Sequence, residues 1–157
     1  MGWALEIWET NETRTLDPDI RWKQRHQNFD RAFALLQSAL SDGPVALSRL
    51  EAEGVIQRFE YTFELAWETL KDYMDYGGIQ LPIVTPRTVL RAALNSGMLH
   101  HGDAWLEMLS HRNLMSHTYD EAHFQAAFRA IAERYLPVME EMHRTLAREF
   151  DQEAEDS

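Results

Sequence analysis

Between residues 111 and 120 the chain reads HRNLMSHTYD, and four of those side chains are of types that do chemistry. Arg112 is a permanent cation whose planar fork of donors clamps phosphate oxygens and stabilises charge building up on them. His117 titrates near neutral pH and can take a proton or give one. Asn113, four residues earlier, can orient an imidazole, and Tyr119 offers a hydroxyl. Arginine with histidine is a minimal set for cleaving RNA without a metal. The histidine accepts the 2′-hydroxyl proton or supplies one to the leaving oxygen, while the arginine holds the phosphate. One histidine does not easily act as acid and base in the same event; two copies across a dimer axis could. The competing reading is a polar helix end, in which Arg112 pairs with Glu60 or Glu64 inside a bundle and His117 caps a helix.

Such a site needs the right elements around it. On an uninterrupted helix Arg112 and His117, five positions apart, would diverge by about 140°. Thr118 and Glu121 have the spacing of a capping box, which predicts that one helix ends and another starts at Thr118. That puts His117 in a turn, free to swing toward Arg112 or across a dimer axis, and Tyr119 in the first turn of the new helix. Upstream, Asp103 starts a helix whose inward stripe is Trp105, Met108 and Leu109. Arg112 continues the same stripe, and a guanidinium on a core-facing side requires a partner or a cavity.

The rest of the chain alternates helical stripes with stop signals. Asp17 and Pro18 open a helix carrying Trp22, His26, Phe29, Phe33, Leu36 and Leu40, closed by Ser41-Asp42-Gly43 and Pro44. His26 reads as a core-edge histidine satisfied by one hydrogen bond rather than as a ligand. A second helix runs to about Tyr76 and stops at Gly77-Gly78. Ile56, Phe59, Phe63, Ala66, Leu70 and Tyr73 form its stripe, widened by Trp67 and Met74, and Gly54 leaves its start open. Glu60, Glu64, Glu68 and Lys71 lie on another side. Glu60 and Glu64 could share a metal, but no histidine stands at a matching offset, so a solvated or salt-bridged face is expected, with no metal and no cofactor. Thr85 caps and Pro86 opens a short helix through about Asn95. Phe124, Phe128, Ile131, Tyr135, Val138, Met142 and Leu146 mark the last helix, in which Pro137 should produce a kink.

Five helical segments without a strand pattern predict an all-α, up-and-down bundle of about five helices. The bundle occupies 17–150, between an N-terminal arm, 1–16, read as flexible, and a frayed acidic tail, 151–157. The heptad stripes also fit a helix-mediated homodimer. A chain of 157 residues that is 45% hydrophobic suits one domain with a real core. The absence of cysteine excludes disulfides, thiolate chemistry and cysteine-based zinc sites. No apolar run approaches the roughly 20 residues that span a bilayer, and the N-terminus lacks a secretory layout, so a cytoplasmic protein with no membrane contact is expected. The net charge is −11. Glu6, Glu9, Glu12, Asp17 and Asp19 against Arg14 make the first twenty residues −4, and Asp151, Glu153, Glu155 and Asp156 make the tail −4. The body between is therefore only −3. That argues against a broad nucleic-acid face but leaves room for a small phosphate site.

Four stretches, RWKQRHQNFDRAFALLQ, IQRFEYTFELAWETLKDYM, TPRTVLRAAL and WLEMLSHRNLMSHTYDE, resemble in order the nucleotidyltransferase substrate-binding protein family of the HEPN superfamily, over about residues 20–146. The resemblance implies a helical bundle that dimerises and partners a minimal nucleotidyltransferase encoded beside it, in a toxin–antitoxin type of module. In many such pairs the HEPN member is a ribonuclease toxin. Its R-x-x-x-x-H-x-Y motif maps onto Arg112, His117 and Tyr119, with Asn113 at the polar position after the arginine. The nucleotidyltransferase antitoxin transfers AMP from ATP to the tyrosine of this motif, here Tyr119, placing charge and bulk beside the catalytic pair. Other members are described only as substrate-binding subunits. Two functions therefore stay open: a metal-independent endoribonuclease silenced by AMPylation, with RNA as substrate, or a non-catalytic subunit that presents a nucleotide or acceptor. The acidity of this chain departs from what loose RNA binding favours.

Overall fold

The computed structural model of the chain describes residues 17–115 and 120–156, the side chains of 113–115 excepted. Helix α1 spans Pro18–Ala39; Asp17 caps it by accepting from the Asp19 amide at 3.2 Å. After a 3₁₀ turn at Pro44–Ala46, α2 runs over Arg49–Tyr76. Its start is fixed by a capping box, Ser48 with Glu51, so Gly54 lies well inside the helix and does not delay it. Gly77 closes α2, and Gly78 takes the left-handed φ of +85° that turns the chain away. Helix α3, Pro86–Asn95, is capped reciprocally by Thr85 and Thr88, and α4 covers Gly102–Met115.

The last helical rod is α5, Glu121–Ala130, joined through one π-helical turn, Ile131–Tyr135, to α6, Leu136–Asp156. Pro137 has no N–H for the carbonyl four residues back. Where the sequence suggested a kink, the chain takes the proline up with this widened turn, in which the Leu136 N–H bonds to the Ile131 carbonyl five residues back. These five helical bodies, with no strand among the described residues, make the all-α bundle the stripes predict. No helix among them is long and apolar enough to cross a membrane.

Two expectations need correction. The helix after the motif does not begin with a Thr118–Glu121 capping box. It begins at Glu121 with Asp120 as N-cap, whose carboxylate accepts from the Ala122 amide at 2.9 Å. Glu121 is instead drawn to a cation, Arg49, and to Gln125. The acidic end is not frayed: α6 continues to Asp156, tied back where Glu153 meets Lys23 at 3.3 Å. His26 is buried as expected, 5% exposed, and its Nδ1 is unpartnered among the described residues. Its ring packs against those of Trp22, Phe150 and His143.

The core lies where α1, α2, α4 and the last rod meet. Phe29, Phe33, Phe59, Phe63, Leu70, Leu90, Trp105, Met108, Tyr135 and Met139 are all at most 2% exposed. Stacked and tilted ring contacts join α2 to the other elements, Phe59 to Tyr135 at 5.5 Å and Phe63 to Trp105 at 6.3 Å. The pairing of α1 with α2 is the most extensive and is reinforced on its polar edge by Asp72, only 2% exposed. Arg25 Nε donates to it at 3.0 Å, Arg21 Nε lies 3.4 Å away, and Arg25 Nη1 also holds Glu68 at 2.8 Å. Burial pushes the Asp72 carboxyl up, and Arg25 and its neighbours pull it back.

Burial, aided by the charge of His143, holds His26 below the ordinary 6.5. Its proton is therefore bound more tightly in the unfolded chain. The stability it contributes is complete above pH 6.5 and is lost as pH falls from there toward the depressed native value. The slope from one such group cannot exceed about 1.4 kcal/mol per pH unit. Asp30 and Asp151 oppose the shift, and His111, likewise depressed by burial, adds a loss of the same sign. The melting temperature is expected to fall between pH 7.5 and 5.5, and to fall less in His26→Phe. Calorimetry showing the same pH slope in both proteins would contradict this.

Candidate functional site

The site is built on the acidic side of α2. Glu60, Glu64, Glu68 and Asp72 recur every four residues, so they stack one turn apart along one face. At the lower end of this ladder Asp72 and Glu68 take the arginines of α1. At the upper end Glu64 takes Arg112, from the last turn of α4. The spacing argument that placed Arg112 on the inward stripe of α4 thus finds its partner. Trp105 and Met108 on that stripe are fully buried against the core, and the guanidinium emerges one turn later, at the edge of the bundle.

The Arg112 side chain is 33% exposed, so it is neither sunk in the core nor loose in solvent. Nη2 forms an ion pair with Glu64 Oε1, an oxygen shielded from solvent that accepts no well-directed hydrogen bond among the described residues. Oε2 of the same carboxylate accepts from the Trp67 indole Nε1 at 2.9 Å. Glu60, one turn before Glu64, has its carboxyl pushed up by burial, with the Arg112 charge pulling against the rise. The pairing of Arg112 with Glu64 is also what a purely structural helix end would use. Partial exposure keeps the cation accessible all the same.

The structure brings only part of the motif into view. His117 and Tyr119 lie outside the described residues, and so does the Asn113 side chain. They are bounded by Arg112 on one side and by Asp120, the cap of α5, on the other. His111, a second imidazole in the same stretch, is half-buried; its Nδ1 lies 2.7 Å from the Tyr135 hydroxyl at the π turn. Consecutive residues on a helix point about 100° apart, and His111 serves the packing of α4 on the last rod rather than the Arg112 side. Burial holds His111 below its ordinary range. Spacing alone did not reveal that role, because Tyr135 comes from twenty-four residues downstream.

A groove of ≈ 330 Å³ lies between the start of α2 and α5, lined by Leu47, Arg49, Phe124 and Phe128 among others. It carries the guanidinium of Arg49 over the Phe124 ring at 3.6 Å. That cation is already held by Glu53 and Glu121, so the groove is a poor place for a phosphate. Among the described residues no cluster of histidine and carboxylate side chains is arranged to hold a metal ion.

The all-helical bundle with an arginine mounted at its edge belongs to a recognisable class. The profile described as "Nucleotidyltransferase substrate binding protein like" matches residues 24–148. The chain belongs to the nucleotidyltransferase substrate-binding protein family. A Haemophilus influenzae protein named "Probable ribonuclease HepT" is 30% identical over 81 residues, 50% of this chain and 56% of that protein. The match therefore spans little more than half the length of this relative. A crystal structure of a Thermus thermophilus protein superposes with a TM-score of 0.63 at 30% identity, covering 78% of this chain and 98% of that one.

Arg112→Ala would leave the shielded Glu64 oxygen without its cation. The pair is about one-third open to solvent, so the expected destabilisation is modest, about 0.5–1 kcal/mol. In a chain of this size that lowers the melting temperature by roughly 1–4 °C. A drop of well over 10 °C would mean that Arg112 is chiefly a packing residue.

Proposed function

We propose that this protein is the ribonuclease half of a two-component module whose other half is a minimal nucleotidyltransferase. The observation that carries the proposal is Arg112 itself: a guanidinium one-third open to solvent, paired on one side with Glu64, at the threshold of the segment that holds His117 and Tyr119. Membership of a family named for its nucleotidyltransferase partners, and a relative named as a ribonuclease, support both halves of the reading.

In the proposed reaction Arg112 binds the scissile phosphate and stabilises the charge on its oxygens. The ribose 2′-oxygen attacks phosphorus, forming a 2′,3′-cyclic phosphate, and the bond to the 5′-oxygen breaks. His117 takes the 2′-hydroxyl proton, and a second His117, across the axis of a homodimer, protonates the leaving 5′-oxygen. Asn113 orients the imidazole. No metal or cofactor takes part in these steps, since phosphate charge and proton transfers are all carried by side chains. The overall charge of −11 disfavours indiscriminate RNA binding and favours a small, specific phosphate site.

Silencing is proposed to occur at Tyr119. Its hydroxyl oxygen attacks the α-phosphorus of ATP, pyrophosphate leaves, and the phenolic proton passes to solvent or base, so that AMP is joined to the tyrosine. The added phosphate sits two residues from His117 and competes for Arg112. The second reading keeps the partnership without cleavage. In it the chain is a non-catalytic subunit presenting a nucleotide or acceptor to the transferase, and the family's name favours it.

Two outcomes follow. Expression of the wild-type chain alone should arrest growth, and His117→Ala should relieve the arrest while leaving the fold intact; an unchanged arrest would refute the cleavage chemistry. Co-expression with the neighbouring nucleotidyltransferase should add one or more AMP increments to the intact mass, all lost in Tyr119→Phe. Increments that persist in Tyr119→Phe would assign the modification elsewhere.

A further inference from the structure

Resting on the ribonuclease reading above, we infer that Glu64 is a positioning residue that presets the Arg112 guanidinium for the phosphate. The inference names a second element of the site, on α2, that the motif around Arg112 does not contain.

Four features of the structure carry it. Glu64 is held from its far side: Trp67 Nε1 donates to Oε2 at 2.9 Å, and the Trp67 ring packs against the core. The carboxylate is therefore anchored before it meets Arg112. The oxygen it presents to the guanidinium is shielded from solvent, where an ionised oxygen depends on a cation for its stability. The pairing occupies Nη2, and a guanidinium carries five donors on a planar fork. Among the described residues Glu64 meets the guanidinium at Nη2, and in the inference Glu64 directs the fork while its Nε and Nη1 edge takes the phosphate. Finally, the neighbouring carboxylates have other fates. Glu68 is paired with Arg25 on α1, and burial drives the Glu60 carboxyl toward its neutral form. Glu64 is the rung of the ladder that meets α4.

Presetting matters because an arginine side chain has many rotamers to lose when it binds, and because misplacing a catalytic group by about 1 Å can cost on the order of 100-fold in rate. The same contact admits an opposite role, in which Glu64 occupies the phosphate site and blocks it. The two roles differ in sign. Removing the charge slows a positioned enzyme and accelerates a blocked one.

The experiment compares full-length wild type, Glu64→Gln, Glu64→Asp and Trp67→Phe on RNA in chelator, reading kcat, KM and melting temperature for each. Glu64→Gln keeps an acceptor for the indole and loses the charge. Its kcat is expected to fall about 10- to 100-fold with KM changed less than about threefold and the melting temperature nearly unchanged. Glu64→Asp, which keeps the charge on a shorter stem, should recover part of the loss. Trp67→Phe leaves both charges and removes only the anchor, so its kcat should fall by a smaller factor, about 3- to 10-fold. If Glu64→Gln fails to fold, an undiminished kcat in Trp67→Phe overturns the inference. If the wild type cleaves and Glu64→Gln matches or exceeds it, positioning is refuted and the ribonuclease reading stands. If the wild type leaves RNA intact, the ribonuclease reading fails and takes this inference with it.

Discussion

An arginine that continues the inward stripe of a helix needs a partner at the edge of the core, and in this bundle Arg112 of α4 finds it in Glu64 of α2. Trp105 and Met108 bury the stripe up to the last turn. Beyond them the guanidinium needs compensation that apolar neighbours cannot give. Glu64 supplies it at the edge of the core, where the pair stays partly hydrated and its cation remains open to a ligand. Deeper burial would have made the same pair costly to form and inaccessible. Looser exposure would have left the arginine with no fixed direction.

That pair is one rung of a longer device. The i, i+4 carboxylates of α2 form a ladder of negative charge that the bundle neutralises from two sides, by α1 through Arg21 and Arg25 and by α4 through Arg112. Like charges one turn apart repel, and cations relieve three of the four rungs, Glu68 and Asp72 through the α1 arginines and Glu64 through Arg112. The opposite, apolar side of α2 carries Phe59 and Phe63 into the rings of Tyr135 and Trp105. One helix thus holds the core with one face and the candidate site with another. The π turn sets Tyr135 against His111, which packs α4 onto the last rod immediately beside Arg112.

Much of this is legible in the residues. Stripes at three and four, Thr85 before Pro86, Asp17 before Pro18 and the Gly77-Gly78 stop set four helices within a few residues of where they lie. The continuation of the α4 stripe by Arg112 pointed to a buried-edge partner, and Glu64 was one of two carboxylates in reach. What the sequence hid depends on competition between distant groups. Thr118 and Glu121 have capping-box spacing, yet Asp120 caps α5 and Glu121 meets Arg49, a partner 72 residues away that no local spacing announces. Asp72 is buried by the packing of α1, which no pattern within α2 reveals. Pro137 signals a disturbed helix without saying whether the chain bends or widens. His26 shows burial from its stripe, while the rings packed against it come largely from α6.

The chemistry proposed for the site is metal-free transesterification, and the ends of the RNA it would leave behind test that most directly. Homogeneous wild-type protein, stripped by chelator, is incubated with 5′-labelled RNA and the products are resolved against alkaline-hydrolysis standards. The account predicts fragments ending in 2′,3′-cyclic phosphate, formed without added metal and absent with Arg112→Ala. Cleavage that requires a divalent ion, or that leaves 3′-hydroxyl ends, would contradict it.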